Sequence, residues 1–140
     1  MRVEEAMSSP AVTIPKSATV REAIARMLKH RVGSVVVAVD GHPTGILTRS
    51  DGLRAAYHAG DRLRDIAVSR AMSEDPHTIK PSRTLRSTLR TMESYEIKKL
   101  PVVDGFELVG IITMSDIARH LPVEVRESMA NLDRKDDWER

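Results

Sequence analysis

The sequence contains no cysteine, which excludes disulfides, thiolate-held metals and a cysteine nucleophile together. Aromatic side chains are nearly as scarce: one Trp, one Phe and two Tyr in 140 residues. A core must therefore be built from Val, Ile, Leu, Met and Ala. No stretch approaches the roughly 18–20 apolar residues of a membrane-spanning helix. The opening "MRVEEAMSSPAVTIPKSA" has no apolar run of signal-peptide length, so a cytoplasmic protein is the expectation. Charge of one sign is lacking too, since 22 basic against 20 acidic residues leave a formal +2. The pI of 9.1 reflects a small excess near neutrality, and gives nucleic-acid binding little support without a concentrated basic face.

What the chain does have is internal repetition. Sliding it by 65 positions superposes Val3, Ala6, Met7 and Ser8 on Val68, Ala71, Met72 and Ser73. Thr13-Ile14, Thr19, Arg21 and Met27 then meet Thr78-Ile79, Thr84, Arg86 and Met92. The match closes on "GILTRSD" (45–51) against "GIITMSD" (110–116), with Arg54 on Arg119. A one-residue slip between aligns Asp40-Gly41 with Asp104-Gly105. The chain is a tandem duplication.

Each copy opens with a short turn-like or helical segment, "VEEAM" or "VSRAM", and a proline-containing loop. Helices are expected near Thr19–His30 and Thr84–Tyr95, where apolar residues fall at helical spacing and each Thr stands as a cap. The β-branched "SVVVAVD" and "LPVVD" read as strands. After short turns, "GILT" and "LVGIIT" return as antiparallel partners. Helices starting near Ser50 and Ser115 follow, and "VTI" and "HTI" offer a short extra strand. A copy of about 60 residues would be marginal alone, so sheet-to-sheet packing of two copies accounts for the duplication without any function.

The motifs "AMS…TI" opening both copies, "KKLPVVDG" in the second and "G-h-h-T-x-S-D" (h apolar) closing both resemble a tandem pair of CBS (cystathionine-β-synthase-type) domains, a Bateman module. The resemblance covers about Val3 to Leu121 and implies an α+β fold: two βαββα repeats packed with pseudo-twofold symmetry into one module. It places repeats at 3–58 and 68–121, a linker at 59–67, and a C-terminal helix or tail at 122–140. It further implies a homodimer, and regulatory rather than catalytic binding of AMP, ADP, ATP or S-adenosylmethionine between the copies. The regulated partner protein is unnamed by the sequence.

In the closing phrase, Asp51 and Asp116 offer carboxylates that can accept from the two vicinal hydroxyls of a ribose. Thr48, Ser50, Thr113 and Ser115 supply hydroxyls near a helix N-terminus, where N–H groups suit phosphate. The same Ser-Asp pair is equally an ordinary helix N-cap. The resemblance places adenine against Val12, Thr13 and Ile14, and against His77, Thr78 and Ile79, although Ile14 and Ile79 also read as core. It sets Lys98 and Lys99 near phosphate in copy two, with Gly33 and Ser34 at these positions in copy one, and counts Pro101 among the ligand-binding residues. Arg49 against Met114 suggests two sites differing in preference for phosphate number.

The five histidines, His30, His42, His58, His77 and His120, show no ligand spacing, so no metal and no catalytic cofactor are expected. No nucleophile–base grouping is legible, which argues against an enzyme. The tail from Pro122 reads as a helix with a highly charged end. Alternatives are a dimerisation scaffold without ligand and, with less support, a nucleic-acid-binding protein.

Overall fold

A computed structural model describes residues 1–120. In chain order the elements begin with α1 (Val3–Ala6), β1 (Thr13–Pro15), α2 (Val20–His30), β2 (Ser34–Val39), β3 (His42–Thr48) and α3 (Arg49–Ala59). A 3-10 turn at Leu63–Asp65 leads to α4 (Val68–Ala71), β4 (Ser73–Glu74), α5 (Leu85–Tyr95), β5 (Lys99–Asp104), β6 (Glu107–Thr113) and α6 (Met114–Ala118). Among the described residues these form two units: a first of Ala11–Pro76, and a second of Met1–Pro10 with 77–120.

Local chemistry sets the helix limits. Thr19 and Thr84 cap α2 and α5, each hydroxyl accepting from the backbone N–H three residues on, Glu22 at 3.2 Å and Ser87 at 3.1 Å. Both helices end on a left-handed residue, Arg31 (φ 55°) and Glu96 (φ 54°). The next N–H then reaches back, from Val32 to the Met27 carbonyl at 3.0 Å and from Ile97 to the Met92 carbonyl at 2.9 Å. This is the usual way of satisfying the last carbonyls of a helix.

In the first unit the sheet order is β1-β2-β3-β4, with β1 parallel to β2 and the other pairs antiparallel. Asp40 (φ 51°) and Gly41 (φ 78°) make the tight turn between β2 and β3. Ile14, Ala23, Met27, Val35, Val37, Leu47 and Val68 close an aliphatic core. In the second unit β5 and β6 form the same hairpin, with an irregularity in register at the position matching that of β2–β3. Its flanks are single bridges, Ile79 parallel to Val102 and Ser8 antiparallel to Ile111. Val3, Leu85, Leu89, Met92, Leu100, Val102, Ile112 and Ile117 form its core.

The opening segment of each sequence copy sits in the unit built by the other. Ser73, from the second copy, pairs with Ile46 of β3. Ser8, from the first, exchanges backbone bonds with Ile111 at 2.9 and 3.0 Å. These crossings explain the glycine of the closing phrase. A Cβ at Gly110 would stand 2.7 Å from the Ser8 carbonyl oxygen, and one at Gly45 would collide with the Met72 sulfur. The expected C-terminal helix from Pro122 lies outside the described residues.

Candidate functional site

The repeated phrase makes the same corner twice. Thr48 is the N-cap of α3: its hydroxyl accepts from the Asp51 N–H at 3.2 Å, while Asp51 Oδ2 accepts from the Thr48 N–H at 2.8 Å. Thr113 and Asp116 repeat this reciprocal pair at 3.2 and 2.9 Å. The cap is therefore the threonine, with the aspartate three residues in. This corrects the expectation of Ser-Asp as cap and moves the helix starts to Arg49 and Met114. Ser50 is half-buried and Ser115 exposed on the first turn.

Asp51 and Asp116 are both buried, and an unpaired carboxylate there would be costly. The second oxygen of each is taken by an arginine one turn on: Arg54 Nη2 donates to Asp51 Oδ1 at 2.9 Å, and Arg119 Nη2 to Asp116 Oδ1 at 2.8 Å. Neither arginine was singled out as a site residue from the sequence. The available signal was their matching place in both copies, three residues after each aspartate.

Strand starts meet helix starts at these corners. Ser34 pairs across the sheet with Thr48, and Lys99 with Thr113. The Arg49 N–H donates to the Gly33 carbonyl at 3.1 Å and the Met114 N–H to the Lys98 carbonyl at 2.8 Å. Ser34 and Pro101 are buried, and Lys98 and Lys99 half-buried. Arg49 is exposed, whereas Met114 packs into the second unit's core. The substitution thus exchanges a surface cation for an interior side chain, not one surface group for another.

The expected adenine residues are less uniformly placed. Ile14 and Ile79 are buried in their cores. The Ile79 backbone is fully used, donating to the Pro101 carbonyl at 3.1 Å and accepting from Val103 at 2.9 Å. The Val12 carbonyl accepts from Val36 at 2.9 Å, and the Thr13 carbonyl from Arg26 Nη1 at 2.6 Å. Thr78 is exposed. His77 stacks on Tyr95 with ring centroids 3.8 Å apart and planes 20° from parallel. The copy-one candidates all lie in the first unit and the copy-two candidates in the second. Among the described residues no group of three His, Asp or Glu could hold a metal ion, and no helix is long and apolar enough to cross a membrane.

Two units, each with a β-hairpin running into a Thr/Asp-capped helix, define a pair of CBS domains. The CBS domain family model matches residues 3–58 and 63–123, and the chain belongs to that family. Among individual proteins it is similar to the CBS domain-containing protein YhcV of Bacillus subtilis, 32% identical over 117 residues, 83% of this chain and 82% of that one. The structure of the CBS domain pair of MJ0100, in complex with 5-methylthioadenosine and S-adenosylmethionine, is similar with TM-score 0.78 at 25% identity, covering 85% of this chain and 94% of that one. The fold is also that of PAE2072 from Pyrobaculum aerophilum, solved with AMP: TM-score 0.78, 24% identity, 94% and 99% coverage.

Proposed function

We propose that this CBS pair is a regulatory, non-catalytic module that binds an adenosine-containing ligand (AMP, ADP, ATP or S-adenosylmethionine) and passes its occupancy to a partner protein. The observation that carries the reading is the duplicated aspartate corner. Each carboxylate oxygen spends an acceptor site on the threonine N–H or the arginine and retains one. Two adjacent acceptors on a rigid helix start match the vicinal hydroxyls of a ribose. The ligand complex of MJ0100 supports the ligand class. Signalling would follow from linkage, since a ligand moves a partner only by its differential affinity for two states. Self-association into a homodimer belongs to the same reading.

A second reading, a scaffold without ligand, is favoured by one fact: the caps and arginines already satisfy both aspartates. Calorimetric titration of AMP, ATP and S-adenosylmethionine separates the two. Binding that weakens about tenfold or more in Asp51→Asn with Asp116→Asn is expected, a loss of the size of one charge-assisted hydrogen bond. Asparagine keeps an acceptor for the cap but not the one the arginine uses, so the thermal midpoint of the variant is read beside the titration. No heat and no competition with any adenosine compound would leave the scaffold reading standing.

A further inference from the structure

The two arginines are more than supports for the aspartates. We infer that Arg54 and Arg119 set the charge preference of the corners, selecting an adenosine that carries phosphate over neutral adenosine or cationic S-adenosylmethionine. The inference rests on the ribose reading above and extends it to the ligand's anionic part. A lone carboxylate at each corner would repel a phosphate attached to the ribose it holds. Pairing with the guanidinium at 2.8–2.9 Å cancels that charge in both copies. The arginine side chains are also open, 40% exposed for Arg54 and 65% for Arg119, against 9% and 8% for their aspartates. The ion pair thus lies with its anion inward and its cation outward. A guanidinium is a planar, permanently positive fork of N–H donors, a shape that suits phosphate as well as carboxylate. The same Arg–Asp geometry recurs while the surrounding cations differ between copies, Arg49 against buried Met114, and Gly33-Ser34 against Lys98-Lys99. The arginine one turn past the aspartate is the positive group that both corners share.

The test is titration of the whole chain with adenosine, AMP, ATP and S-adenosylmethionine. It is repeated for Arg54→Gln in a chain carrying Asp116→Asn, and for Arg119→Gln in a chain carrying Asp51→Asn. The unaltered protein should rank AMP and ATP above adenosine and S-adenosylmethionine, with an affinity for ATP that falls as salt rises. Each glutamine should weaken AMP and ATP about tenfold while changing adenosine less than about threefold. Lysine at the same position should recover most of the loss. Equal loss for adenosine and AMP would show the arginine to be only a support and overturn the inference, leaving the ribose reading intact. Failure to bind any adenosine compound would overturn both. Should the glutamine variants not fold, the ranking and salt dependence of the unaltered chain decide: adenosine binding as well as AMP, with no salt effect, sinks the inference.

Discussion

Gly45 and Gly110 stand at the same place in the repeat but face different neighbours. A methyl at Gly110 meets a backbone oxygen, Ser8, that is itself fixed by two strand hydrogen bonds. A methyl at Gly45 meets the Met72 side chain, whose three rotatable bonds let it swing aside. Gly110→Ala is therefore expected to cost about 1–3 kcal/mol, the range for overpacking a filled site, and Gly45→Ala clearly less. Urea denaturation of the two variants checks this, and equal losses would refute it. The legibility of these residues follows the range of their contacts. A cap at each corner could be read from the local sequence, but the sequence pointed to the Ser-Asp pair, whereas the threonine three residues before the aspartate makes it. The glycines' purpose could not be read, since what they make room for arrives from the other sequence copy. The inward turn of Met114 was equally hidden, because its match to Arg49 carries no sign of burial.

Among the elements, α2 and α5 begin one residue after the threonines expected to start them and end where expected, because caps and apolar spacing are local signals. The hairpins were legible for the same reason, with β-branched runs separated by turn residues. The short extra strand resolves unequally, as β1 in the first unit and a lone bridge at Ile79 in the second. Nothing local announced β4, which exists only through pairing with the other copy's β3. Helices α2 and α5 stop on a residue whose side chain disfavours the left-handed region, whereas α3 stops on Gly60. Arg31→Gly relieves that strain at the price of a more flexible unfolded chain, and a net gain of about 0.5–1 kcal/mol is expected. Thermal melts read the effect; a lowered midpoint would contradict it.

For the molecule as a whole, the first unit leaves Leu28 (75% exposed), Leu53 (74%) and Tyr57 (84%) uncovered on α2 and α3. The two helices approach at Ile24 and Gly52, so these side chains flank one seam. The matching copy-two residues are Glu93, Ala118 and Pro122, which offer no comparable apolar set. The homodimer proposed above would use this face. Leu53→Glu with Tyr57→Glu should turn a dimer into a monomer in analytical ultracentrifugation, and a variant that sediments like the parent would exclude the face. The exchange of opening segments also fixes where the chain can be cut. The run from Ala11 to Pro76 is continuous and holds one whole unit. A piece trimmed to the family boundaries 3–58 would lose Ile66, Val68 and β4 while keeping an α1 that packs elsewhere. The inherited module and the packed unit are thus out of phase along the chain, and a half made for separate study has to follow the second.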